Sequence, residues 1–198
     1  MLSPGVSSMD VHASLRLATQ SRHERLDSSL RIGSADAGYA DYLAYLAALR
    51  GWLEPVETAL WAREWPSSLQ PELRQRKSAR IEQDFEAARG LGVVVPPVPV
   101  CGQLPDIDRS RAYALGVMYV IEGSQLGGRM MAKRLQQAWP DRPFHYMEGY
   151  GPELGALWKA FTAFLRDEVR SQQEIDEAVA GACDAFDTLA DWLQRQGQ

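Results

Sequence analysis

Apolar residues recur at spacings of three and four along most of the chain, which is the pattern of helices that bury one face. From Asp10 onward Leu15, Ala18, Leu26 and Leu30 keep such spacings among charged positions, with His23 set into the run, and Gly33 and Ser34 end this helix and cap the next. A second run, roughly 36–63, aligns Tyr39, Tyr42, Leu43, Leu46, Leu49, Leu53 and Val56 on one side, with Pro55 as a point of kinking. A third, about 71–89, carries Leu73, Ile81 and Phe85 and stops at Gly90 and Gly92. The segment VVVPPVPVCGQLP (93–105) has the valines of a strand, but Pro96, Pro97 and Pro99 remove backbone donors, so an extended connector is expected. A fourth helix, about 109–139, holds EGSQLGG in its middle; the linker PDRPFHYMEGYGP leads to a fifth near 153–170 and a sixth near 173–194. No strand finds a partner and no repeat is present. The pattern predicts an all-α, single-domain bundle over 10–198 behind a flexible tail at 1–9.

Composition narrows the partners. With 198 residues and 45% hydrophobic side chains the chain can build one sizeable apolar core. A net charge of −5 argues against nucleic acid, which needs clustered Lys and Arg. A local basic patch would still be required to receive a dianionic ligand. No apolar stretch approaches the roughly 20 residues of a membrane span, and the first residues lack the form of a secretory signal, so a cytoplasmic location is expected. Cys101 and Cys183 have no CxxC partner and are expected as reduced thiols.

Two places concentrate candidate chemistry. His23 shares one helical side with Arg16, Thr19, Gln20 and Asp27. Asp27, four residues on, can hold one imidazole nitrogen and leave the other free for a metal, an arrangement usual for histidine ligands. The plain alternative is a polar boundary histidine. In the fourth helix Gly123, Gly127 and Gly128 stand among Met, Tyr, Val and Ile. Each glycine costs about 1 kcal/mol against alanine in a helix interior, so three together call for some return. They let a flat body approach the backbone; close packing of small residues between helices, or a break, would use them equally well.

Together LRLATQSRHERLDSSL (15–30) and YVIEGSQLGGRMMAKRL (119–135) resemble the heme oxygenase family, the first its proximal helix and the second its glycine-bent distal helix. The helical remainder, ending in ALWKAFTAFL and CDAFDTLADWL, is similar too, so the likeness runs from Asp10 through essentially the whole chain. EGSQLGG resembles in particular the bacterial, biliverdin-producing branch, which includes enzymes that supply phytochromes. The resemblance implies heme, as cofactor and substrate, held between those two helices, with His23 as iron ligand and Asp27 behind it. It implies that Gly123 and Gly127 contact heme and oxygen, and that Gly128 helps the helix bend. Ser124 stands where mammalian members carry a proton-relaying Asp. Tyr119, Arg16 and Lys159 are the implied propionate partners, and Phe186 packs on the macrocycle. The implied reaction opens the ring to biliverdin with release of carbon monoxide and iron, using molecular oxygen and an external electron donor such as ferredoxin or a reductase. A phytochrome is the implied bilin acceptor. Two other readings share the residues: a heme carrier or sensor without turnover, suggested by the missing Asp, and a thiaminase-like enzyme, for which neither cysteine has a fitting setting.

Overall fold

The computed structural model describes residues 10–34 and 36–198; the tail expected at 1–9 lies outside them. Eight α-helices follow in order: α1 Val11–Ser29, α2 Tyr39–Ala62, α3 Pro71–Arg74, α4 Lys77–Gly90, α5 Arg111–Ala138, α6 His145–Glu148, α7 Leu154–Glu168 and α8 Gln172–Arg195. No strand occurs among the described residues. Six helices are long and two, α3 and α6, are single turns. None is long and apolar enough to cross a membrane.

Three departures from the periodic pattern share one cause, which is that carboxylates set helix starts, one from within the same helix and two from distant elements. The second helix starts at Tyr39 rather than near 36, because Gly38 turns extended and donates its N–H to Asp41 at 2.7 Å. The third run divides: Arg76 takes a left-handed conformation (φ 69°), and α4 begins at Lys77. The buried carboxylate of Glu57 on α2 accepts the N–H groups of Lys77 and Ser78 at 2.8 and 2.9 Å, supplying a cap the local sequence lacks. The linker after α5 contains α6, whose first amides, His145 and Tyr146, donate to Asp84 on α4 at 2.8 and 3.0 Å. Tyr42 donates its hydroxyl to the same carboxylate. Burial pushes the Asp84 carboxyl above its ordinary pKa, and these three donors pull the other way.

The connector 93–105 is extended and unpaired as a strand. It crosses α2 at Gly51, where a Cβ would lie 2.1 Å from the Pro99 carbonyl oxygen, and Cys101 donates its N–H to the Gly51 carbonyl. Pro55 lies inside α2 without ending it. Both thiols are free.

At the centre stands α8, on which α5 and α1 both pack. Its start is capped by Ser171 and Glu174. Tryptophans from both sides tie it to α2: Trp192 donates to the Ala48 carbonyl at 2.7 Å and Trp52 to Thr188 at 3.1 Å. The first half of α5 is almost continuously buried from Ala112 to Glu122. Beyond Gln125 the helix leaves the core: Leu126 is 38% and Met130 80% exposed, and the next buried side chain is Leu135.

Candidate functional site

Although α1 and α5 both rest on α8, they hardly pack on each other, which leaves a cleft with α8 as its floor. It is closed at both ends. At one end His12 of α1 meets Tyr119 of α5 and Trp158 of α7, with ring centroids 6.0 and 5.9 Å away. At the other, Arg134 of α5 donates to the Gly33 and Ser34 carbonyls after α1, at 2.9 and 2.7 Å. His23, Gly123, Ser124 and Gly127 lie between these ties along the two helices.

His23 is exposed, and its Nδ1 lies 3.1 Å from Asp27 Oδ2. A carboxylate there favours the proton on Nδ1 and turns the Nε2 lone pair outward. The ring stands edge-on to Phe186 of α8, 5.9 Å between centroids, so a buried aromatic sets its tilt. Arg16 is exposed two turns earlier, close enough to favour ionisation of the Tyr119 phenol, although burial dominates and raises that pKa. Lys159 is exposed beside Trp158, and its ammonium makes no hydrogen bond or ion pair with the described residues.

The three glycines divide in their roles. A Cβ on Gly127 would meet nothing within 4 Å, and one on Gly123 would meet only the edge of the Trp158 ring at 3.7 Å. A Cβ on Gly128 would stand 3.2 Å from the Met147 carbonyl oxygen, so this glycine admits the backbone of α6. α5 runs uninterrupted from Arg111 to Ala138, past all three glycines. The Ser124 hydroxyl donates to the Ile121 carbonyl at 2.8 Å and stands beside the buried Tyr146 phenol, so its lone pairs are the part able to accept a further hydrogen bond.

Behind the distal wall lies a buried ionic cluster. Glu122, 2% exposed, accepts from Arg74 and from Lys77 Nζ at 2.7 Å, while Tyr150 donates its hydroxyl at 3.0 Å. Sequence reasoning missed this cluster, and also His12 and Trp158. His12 was within reach, since it precedes His23 by eleven residues, about three helical turns, on the side shared with Arg16 and Thr19. Glu122 and Trp158 carried no such signal, because their partners come from other helices.

Among the described residues no group of three or more His, Cys, Asp or Glu stands together to hold a metal ion. A metal at His23 would bring most of its ligands with it. Two shallow hollows of about 340 Å³, beside Glu174 at the start of α8 and beside Trp139 at the end of α5, include none of the cleft residues.

The heme oxygenase family model matches residues 9–195 of the chain. The chain is similar to heme oxygenase PigA of Pseudomonas aeruginosa, 31% identical over 184 residues that cover 91% of this chain and 90% of that protein. It is also similar to a heme oxygenase of Xanthomonas campestris pv. campestris, 40% identical over 86 residues, 42% of this chain and 52% of that protein.

Proposed function

Because the chain belongs to the heme oxygenase family, we propose that it binds heme in the cleft between α1 and α5 and cleaves it oxidatively to a biliverdin, releasing carbon monoxide and iron. The observation that carries the site is the empty space over Gly127 opposite a helix that presents a carboxylate-held imidazole. A flat macrocycle fits this setting: side-chain-free backbone on one wall, one nitrogen donor on the other, a buried aromatic at the floor. When bound, heme supplies the iron that activates dioxygen and the ring carbon that is oxidised.

The chain's own residues bind, orient and manage protons. His23 offers Nε2 to the iron while Asp27 holds Nδ1. As an iron ligand a neutral imidazole would give bound heme less electron push than a thiolate. Gly123 and Gly127 let oxygen and its waters lie against the helix. Ser124 accepts from such a water and sets its orientation, in place of a carboxylate. Arg16 of α1, Tyr119 of α5 and Lys159 of α7 are the proposed propionate partners, two exposed cations and a phenol. Phe186 packs against His23 and would flank the bound macrocycle. Electrons come from an external donor of the ferredoxin or reductase class.

The test is optical. Purified protein mixed with hemin takes up one equivalent with a Soret band that depends on His23. Ascorbate under air then bleaches that band as a bilin absorption grows, and carbon monoxide is trapped by a globin. Bound heme that only cycles between its ferric and oxygenated spectra for hours, with no bilin, would make the protein a carrier and overturn the reading.

A further inference from the structure

The segment of α5 that walls the cleft is a span between two anchors. Glu122 and Gln125 are its last buried side chains before a stretch of exposed and half-buried positions that touches the rest of the fold through Gly128 on α6 and through Met131 and Ala132, and it is next tied by the hydrogen bonds of Arg134 and the buried Leu135. Of the near anchors Glu122 is the one with directed bonds to other elements. Arg74 at the end of α3 and Lys77 at the start of α4 both bind its carboxylate, and Tyr150 after α6 donates to both of its oxygens. The two cations are fixed in turn. Arg74 donates to the Leu69 and Leu157 carbonyls and lies over the Phe161 ring, while Lys77 donates to the Arg74 carbonyl and lies over Tyr150. Three segments of the fold thus grip one side chain of α5, and α7 holds one of the gripping cations in place.

Helical geometry turns that grip into an orientation. At about 100° per residue, Gly123 projects about 100° and Gly127 about 140° away from Glu122, so a carboxylate tethered on the α3, α4 and α7 side turns both glycines toward the opposite side. A rotation of the helix by one residue would replace the open backbone of Gly127 with a side chain. Resting on the heme-cleft reading above, we propose that Glu122 is a positioning residue: through Arg74, Lys77 and Tyr150 it sets the rotation and rigidity of the distal helix, and so the surface that heme and oxygen meet. It touches neither.

Glu122→Gln keeps the shape but turns an amide toward Lys77. The pair Glu122→Gln with Lys77→Met removes that mismatch at similar volume and serves if the single variant fails to fold. Amide hydrogen exchange on the heme-free protein is the first readout. Residues 123–133 are expected to exchange about tenfold faster or more, with α8 unchanged, because a local opening has lost its anchor. In the second readout, hemin affinity stays within about threefold while bilin formed per bound heme falls about tenfold, the mark of lost orientation rather than lost binding. Tyr150→Phe, which removes one tether and leaves both ion pairs, should fall between the wild type and Glu122→Gln in both exchange over 123–133 and bilin yield. A variant that melts earlier, yet exchanges normally over 123–133 and gives full bilin yield per loaded molecule, would show the cluster to be core packing only and overturn the proposal. If the wild-type protein forms no bilin at all, the functional reading fails, and the heme-free exchange experiment alone decides the positioning role.

Discussion

Gly116 of α5 and Gly181 of α8 form one backbone-to-backbone seam: a Cβ on the first would stand 1.8 Å from the Ala178 carbonyl oxygen, and one on the second 2.1 Å from that of Tyr113. The seam seats the distal helix on the helix that also carries α1 and Phe186, and so sets the depth of the cleft. Seven and eleven residues further along the same helix, Gly123 and Gly127 have no such neighbour. One residue type therefore serves close packing in the first half of α5 and open space in the second.

This contrast makes opposite predictions for similar substitutions. Gly116→Ala forces backbones apart and should lower the melting temperature by about 5 °C or more, the range expected for overpacking of a tight core. Gly127→Ala should instead stabilise the heme-free protein by up to about 1 kcal/mol, since alanine is the better helix former and meets nothing. Gly127→Leu should keep its helix content and lose bilin formation. Circular dichroism and bilin yield on the same samples decide: full turnover per heme-loaded molecule in Gly127→Leu would remove the distal wall from the site.

For the proximal side, His23→Ala should abolish the normal Soret spectrum and turnover, with added imidazole restoring part of both. Asp27→Asn should cost about 10–100-fold in heme affinity or activity, the usual range for a residue that orients a metal-binding histidine. An unaltered spectrum in His23→Ala would refute the ligand assignment.

Arg16 is exposed, so its attraction for a propionate is screened by solvent. Arg16→Ala is expected to weaken hemin binding only about two- to fivefold, and less at high salt, in line with exposed ion pairs. Product analysis adds an independent readout, because a lost propionate partner lets the ring rotate in its plane. Unchanged affinity together with an unchanged bilin isomer would place the propionates elsewhere.

His12 gives a pH dependence. Burial between Tyr119 and Trp158 lowers its pKa below the ordinary 6.5, helped by Arg166 and Arg16 and opposed by Asp10. In the pH range just below 6.5 the unfolded chain binds a proton that the folded protein resists, so stability is present above that value and is lost as pH falls through the lowered pKa. His12→Gln should flatten the fall in melting temperature between about pH 7 and 5. A decline as steep as in the wild type would assign it to other groups.

Much of the fold was legible in the sequence because amphipathic helices announce themselves locally. The run containing Leu43, Leu46 and Leu49 buries the residues its spacing marks, the run containing Ile81 and Phe85 buries those two but leaves Leu73 of α3 50% exposed, and Pro96, Pro97 and Pro99 exclude a strand on their own. Residues 15–30 and 119–135 carry the family's likeness as short motifs for the same reason: neighbours on one helix stay neighbours in space. His23 and Asp27 meet within one turn, so their 3.1 Å contact needed no knowledge of the fold.

What the sequence could not state are relations between helices. Glu57 ends the break before α4 and Asp84 starts α6, each as a cap from a distant element. Gly116, Gly128 and Gly127 are equivalent as letters, yet one faces α8, one faces Met147 and one faces open space. Glu122 looks like a polar lapse in an apolar helix until Arg74, Lys77 and Tyr150 arrive from three other segments. The sequence by itself determined which residues form the long helices, through the periodic burial of apolar side chains. Tertiary structure alone decided where those helices end, which glycine packs and which opens a cleft, because these depend on groups that only the folded chain brings within hydrogen-bond or van der Waals distance.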